Sequence, residues 1–122
     1  MDTEAGKDEL KAEIKRGHYA RAAFIGASLG LPEEEIKDYR CKALWQMSAL
    51  YRNASGTKLL AQQYGLSKEE VKNILEKYLA EKRKAGDIKL LEPCYDHGTR
   101  KYFSFEEWMD HLLKNWDKFP SS

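Results

Sequence analysis

Apolar residues recur at helical spacing along most of this chain, and the pattern predicts five helices. Glycine, proline or a capping serine stands at most of the expected helix ends. The predicted helices cover residues 7–29, with a bend near Gly17, then 32–53, 57–64, 67–85 and 105–117. The pattern therefore favours a mainly α fold.

Two serines mark the starts of the last two helices. Ser67 is followed three residues later by Glu70, and Ser104 by Glu107. This spacing predicts capping boxes, in which each side chain bonds the backbone of the other residue. The helix after Ser67 carries an apolar stripe that we expect to be buried: Val71, Ile74, Leu75, Tyr78 and Leu79.

A short β-hairpin is expected between these two helices. Residues 88–91 and 101–105 have strand-like composition and flank a turn from Asp96 to Thr99. Gly98 is expected to supply a positive φ angle in that turn. The hairpin adds a small β element to the mainly α fold.

Length and composition favour one globular domain over residues 1–122. Apolar residues make up 42% of the 122 residues and charged residues 34%, as in well-solvated helical proteins. No apolar run reaches the roughly 18 residues that a membrane span needs, and the first residues, Met1 to Glu4, lack the pattern of a secretory leader. We therefore expect a cytoplasmic protein without a membrane partner.

Charge is distributed unevenly along the chain, although the net charge is only +1. Residues 38–86 contain ten Lys or Arg and five Asp or Glu, whereas the segments on either side are each net acidic by two charges. A contact with phosphate groups should therefore involve the middle of the chain.

The segment from Leu60 to Leu75 resembles the helix-turn-helix motif of bacterial repressors and activators. Small Ala61 allows close helix approach, Gly65 suits the turn, and Ser67 caps the second helix. Leu66, Val71 and Ile74 occupy the positions that fix the crossing angle. With the hairpin, residues 38–105 are similar to a winged helix-turn-helix core, flanked by an N-terminal helical extension (7–37) and a C-terminal helix (105–118).

This resemblance implies a small prokaryotic transcriptional regulator that binds double-stranded DNA. The helix that starts at Ser67 would read the major groove, and the hairpin, or wing, would reach an adjacent groove. The resemblance implies these DNA-contacting residues: Thr57, Gln62, Ser67, Lys68, Glu69, Lys72, Asn73, Lys77, Arg100 and Lys101.

Two other functions fit the same residues. Glu69, Glu70 and Glu76 place negative charge on the reading helix and oppose phosphate binding, so a winged helix that binds only proteins is an alternative. The segment 30–37 also resembles 65–72, at an offset of 35 residues, which suggests a small helical-repeat adaptor.

No catalytic, metal or cofactor motif is found. Cys41 and Cys94 are far apart, and His18 and His111 are each isolated, so we expect reduced thiols and no metal site. The sequence contains no phosphate-binding glycine loop and no nucleophile elbow, so no enzyme activity is expected.

The flanking helices 7–29 and 105–117 carry apolar faces that predict a homodimer.

Overall fold

Six helices and one two-stranded hairpin make up the part of the chain that the computed structural model describes, residues 3–119. The sequence also predicts a frayed end over Phe119 to Ser122, which lies outside the described residues except for Phe119. A π-helical turn, Gln46–Leu50, follows the third helix, and 3₁₀ turns cover Lys89–Leu91 and Trp116–Lys118. The helices are α1 (Thr3–Arg16), α2 (Tyr19–Ser28), α3 (Glu33–Trp45), α4 (Ala54–Gln63), α5 (Lys68–Ala85) and α6 (Phe105–Lys114), and the strands are β1 (Cys94–Asp96) and β2 (Lys101–Phe103). The expected mainly α class with a small β-hairpin is confirmed.

The chain divides into two compact units, Met1–Ala43 and Leu44–Ser122. In the first unit α1 and α2 pack through a small apolar core of Leu10, Ala22 and Ile25, against which Ile14, Leu29, Leu31 and Tyr39 also pack. The second unit contains the π-helical turn, α4 to α6 and the hairpin. None of the described helices is both long and apolar enough to cross a bilayer.

The single bent helix expected over residues 7–29 is wrong. Gly17 adopts a left-handed conformation with φ of 76° and separates α1 from α2. The amides of Gly17 and His18 donate to the carbonyls of Ile14 and Glu13, which closes α1. The glycine therefore ends the helix instead of bending it.

A buried carboxylate joins the two helices of the first unit. Glu13 lies on α1 and is 6% exposed. It accepts a hydrogen bond of 2.7 Å from Nδ1 of His18 and lies 3.3 Å from Arg16 and 3.8 Å from Arg21. The hydrogen bond from His18, helped by these charges and opposed by burial, holds the pKa of Glu13 below its ordinary value of 4.5. The ionised carboxylate is therefore the stabilised form.

Both expected capping boxes are present. The hydroxyl of Ser67 accepts from the amide of Glu70 at 3.1 Å, and the Glu70 carboxylate accepts from the amide of Ser67 at 3.0 Å. Ser104 and Glu107 repeat this arrangement at the start of α6. The same bonds hold the pKa of Glu107 below its ordinary value. Local sequence alone therefore fixes where α5 and α6 begin.

Aromatic side chains fill the core of the second unit. Trp45 stacks on Tyr78 of α5 with ring centroids 5.5 Å apart and meets the edge of Phe105 at 4.8 Å. Phe105, Trp108 and Leu112 of α6 are buried, as are Val71, Leu75 and Leu79 of α5. Three residues of the stripe expected on α5, Val71, Leu75 and Leu79, are thus confirmed as core, whereas Ile74 and Tyr78 are half-buried.

The first expected strand was placed wrongly. Residues 89–91 form a 3₁₀ turn, and β1 lies at Cys94–Asp96, where it pairs antiparallel with Lys101–Phe103. Gly98 does not supply the positive φ angle either, because Arg100 adopts it at 60°. The Asp96 carboxylate accepts from the amide and hydroxyl of Thr99, which closes the turn and lowers the pKa of Asp96.

Arg52 explains why the 3₁₀ segment does not pair as a strand. Its guanidinium donates to four backbone carbonyls, those of Ala49, Leu90, Glu92 and Phe103, at 2.9 to 3.2 Å. The residue is itself left-handed, with φ of 50°. Burial lowers the pKa of the guanidinium but leaves it charged at neutral pH. One side chain therefore connects the π-helical turn, the 3₁₀ turn and β2.

Replacing Arg52 by lysine should destabilise the second unit. A lysine keeps the charge, but its three donors share one nitrogen and cannot reach all four carbonyls, so we expect a loss of about 2 to 3 kcal/mol in the free energy of unfolding. Urea denaturation followed by tryptophan fluorescence measures this loss, because all three tryptophans belong to the second unit. Arg100→Lys is the matched control, since Arg100 is also left-handed but exposed. Equal stability of the two variants would contradict the role of Arg52.

Replacing Glu13 by glutamine should weaken the first unit in a pH-dependent way. Because the folded pKa of Glu13 is lowered, the ionised group stabilises the fold fully above its ordinary pKa, and this contribution is lost as the pH falls through the folded value. Thermal unfolding of the full chain, followed by circular dichroism, should therefore show a gap between the wild type and Glu13→Gln at pH 7 that closes in acid. The control Glu9→Gln, which alters an exposed pair with Arg21, should show a smaller gap. A gap that does not change with pH would exclude this explanation.

Candidate nucleic-acid interface

A left-handed glycine forms the turn between α4 and α5. Gly65 is left-handed with φ of 69°, and the amides of Gly65 and Leu66 donate to the carbonyls of Gln62 and Ala61. Ala61 and Val71, on either side of the turn, are both fully buried. The small side chain at Ala61 thus lies in the packed core beside the turn, while Ser67 fixes the first residue of α5.

One strip of α5 points to solvent over its length. Positions three, four or seven residues apart lie on the same side of a helix, and Glu69, Asn73, Lys77 and Lys84 are all exposed. We call these four residues the outer strip. Lys68 and Ser67 are also exposed at the N-terminal end of the helix. Five of the expected contact residues, Ser67, Lys68, Glu69, Asn73 and Lys77, are therefore accessible on α5.

Lys72 lies at the edge of the outer strip that faces α6. It is half-exposed, its ammonium is 3.8 Å from the carboxylate of Glu76, and it lines an open groove of about 480 Å³ between α5 and α6. Arg83 forms an ion pair with Glu106 across this groove. Both cations are thus partly neutralised by carboxylates, unlike Lys77.

Thr57 has no access to a ligand. It is fully buried, and its hydroxyl donates to the carbonyl of Asn53 at 2.8 Å and lies 3.1 Å from the hydroxyl of Ser48. The neighbouring Lys58 is 6% exposed and donates to the carbonyl of Phe119. Both residues join α4 to other parts of the second unit. Gln62 remains exposed.

The hairpin is anchored on one face and free on the other. Phe103 stacks on His111 of α6 with centroids 5.4 Å apart, and its carbonyl accepts from Arg52. Arg100 and Lys101 are exposed near the tip, as expected for the wing. The tip can therefore contact a ligand while its base stays fixed to the core.

Two residue sets at this site were not predicted from the sequence. Arg52 was missed because a left-handed arginine leaves no periodic signal. The exposed tyrosines Tyr95 and Tyr102, which are directly paired across the hairpin, were missed because the first strand was placed too early. The alternation in Cys94-Tyr95-Asp96 and Lys101-Tyr102-Phe103 would have predicted their shared face had the register been right.

The charged residues of the described segment do not form a metal centre. No group of three or more His, Cys, Asp or Glu side chains within residues 3–119 could hold a metal ion. Both cysteines are free thiols. The acidic residues Glu33, Glu34 and Glu35 lie in the first turn of α3, where they complement the helix dipole.

Comparison with known proteins identifies no relative. No family model, no curated protein and no solved structure matches this chain.

Thr57→Val should separate stability from binding. The substitution leaves the Ser48 hydroxyl buried without its partner, so we expect a loss of about 1 to 2 kcal/mol in the free energy of unfolding. Affinity for duplex DNA should stay within about twofold of the wild type when both proteins are folded. A selective loss of DNA affinity without a loss of stability would contradict the structural role of Thr57 and indicate a direct DNA contact.

Proposed function

We propose that this protein binds double-stranded DNA, with the outer strip of α5 in the major groove and the wing against the adjacent backbone. The observation that carries the proposal is the α4–Gly65–α5 turn, which leaves Asn73 and Lys77 exposed on a capped helix of 18 residues. A helix of this kind fits the major groove, where asparagine can read adenine and lysine can contact phosphate.

The electrostatics favour this binding mode only in part. Lys68 and Lys77 have no ion pair among the described residues, so their charges are available to phosphates. Glu69 lies on the same strip and repels phosphate, although a carboxylate can accept a hydrogen bond from cytosine. The proposal therefore assigns Glu69 a base contact and the lysines the backbone contacts. Transcriptional regulation is the function that we infer from such binding.

A second candidate function is a winged helix that binds only proteins. It is favoured by the groove between α5 and α6, whose apolar floor of Leu79, Met109 and Leu113 lies beside charges of both signs. The helical-repeat adaptor is less favoured. The turn at Gly30 has the same backbone bonds as the turn at Gly65, but the hairpin follows α5 where a repeat would require another helix.

The homodimer remains a prediction, with a different contact. Leu10 and Ile14 of α1 pack on α2, and Phe105, Trp108 and Leu112 of α6 are buried, so the apolar faces that suggested the dimer are already covered. Phe24 of α2, at 72% exposure, is the large apolar side chain that this prediction now depends on.

Alanine substitutions on α5 test DNA binding directly. Lys77→Ala should weaken binding to random duplex about three- to tenfold and reduce the slope of log affinity against log salt by about one. Asn73→Ala should affect a preferred sequence more than random duplex. Lys114→Ala is the matched control, because Lys114 is an exposed lysine on α6 paired with Asp110.

Fluorescence anisotropy at low salt measures these affinities. Equal binding by Lys77→Ala, Lys114→Ala and the wild type would reject the outer strip as the DNA surface. It would leave the protein-binding winged helix as the better explanation.

A further inference from the structure

The outer face of the wing carries an aromatic cluster that the α5 contacts do not explain. Tyr95 and Tyr102 are paired directly across the hairpin, with ring centroids 5.2 Å apart, and His97 meets Tyr95 at 4.9 Å. Tyr95 is 44% exposed and Tyr102 69% exposed. Three aromatic rings thus lie together on the surface of the second unit.

A hollow opens beside this cluster. It has a volume of about 230 Å³ and is lined by Tyr95, His97, Tyr51, Trp108 and the polar side chains of Arg52 and Asp96. This volume is enough for one planar ring, and the walls offer aromatic surface together with two charged groups. Asp96 uses Oδ2 to accept from Thr99, and Oδ1 has no partner among the described residues.

The cluster is held rigidly. Phe103, on the opposite face of the hairpin, is stacked on His111 and bonded through its carbonyl to Arg52, while the Asp96–Thr99 bonds close the tip. Binding to such a surface orders few additional side chains and so costs little conformational entropy.

The charge near the cluster favours a polyanion. Arg100 lies at the tip, is exposed and forms no ion pair among the described residues, and the neighbouring Lys101 is exposed too. Each strand has only three residues, which is too short to bind a protein by strand addition. Aromatic rings beside unpaired cations are the arrangement by which proteins hold single-stranded nucleic acids.

We propose that the wing binds an unpaired nucleobase, which stacks on Tyr95 beside the hollow while Tyr102 supports that ring edge to face and Arg100 contacts the phosphate. In an intact duplex the base faces are covered by their neighbours, so an aromatic ring gains stacking only where a base is unstacked. The protein should therefore prefer DNA with a short single-stranded gap to fully paired DNA. This inference rests on the proposed DNA binding and adds a second class of contact to it.

Anisotropy titrations of the full chain test the inference with two labelled DNAs of the same sequence, one fully paired and one with a four-nucleotide gap of cytosines. Cytosine is chosen because its amino group can donate to Asp96. The wild type should bind the gapped DNA at least about fivefold more tightly. Tyr95→Ala and Tyr102→Ala should remove this preference and leave affinity for the paired DNA within about twofold.

Two control variants separate stacking from other effects. Tyr95→Phe keeps the ring and should keep the preference, and Ile88→Ala removes an exposed apolar side chain outside the hairpin and should change neither affinity. Thermal unfolding confirms that each variant is folded.

The outcomes distinguish this inference from the proposed function. Two results overturn the inference alone and point to a protein partner for the wing. One is Lys77-dependent binding of both DNAs without a preference for the gapped DNA. The other is a preference that survives in Tyr95→Ala and Tyr102→Ala. Tyr95-dependent binding of the gapped DNA alone supports the inference and overturns the major-groove proposal. Binding of neither DNA overturns both.

Discussion

The guanidinium of Arg52 is the contact on which the arrangement of the second unit depends. It satisfies four backbone carbonyls that belong to three segments, one before α4 and two after α5. A buried carbonyl without a donor costs about 1 to 3 kcal/mol. Residues 89–91 do not pair as a strand, and the guanidinium supplies hydrogen-bond donors in place of that pairing. The left-handed backbone at Arg52 is a strain that these bonds offset.

The position of the hairpin follows from this contact. With its base fixed by Arg52 and by the stacking of Phe103 on His111, the hairpin turns Tyr95 and Tyr102 away from the core. The capping box at Ser67 and the turn at Gly65 fix α5 in the same unit. The two surfaces that we propose to contact nucleic acid are thus each held by backbone hydrogen bonds, and their exposed side chains are left free to bind.

Local signals were enough to predict much of the fold. The capping boxes, the apolar stripes of α5 and α6, and the left-handed Gly65 all involve residues within one helical turn of each other, where sequence spacing determines contact. The break at Gly17 was read as a bend because the residues on both sides of it are compatible with helix. Whether the glycine bends the helix or ends it depends on which backbone groups cap α1.

Two errors in the second unit depend on contacts that span more than one helical turn of sequence. Residues 88–91 have strand-forming composition, yet Arg52, 38 and 40 positions earlier, takes the carbonyls of Leu90 and Glu92. Thr57 stands at the start of the helix predicted over 57–64 and was therefore expected at the surface. Its hydroxyl instead bonds to that of Ser48 in the core. Lys58 reaches the carbonyl of Phe119, which is 61 residues away.

The most direct test of a binding surface on the second unit is an NMR titration of the labelled full chain with a short duplex. The account predicts that amide shift changes concentrate at the start of α5, along its outer strip and at the wing tip around Arg100, and that they diminish as salt is raised. Changes confined to α1 and α2, or to the groove between α5 and α6, would contradict it.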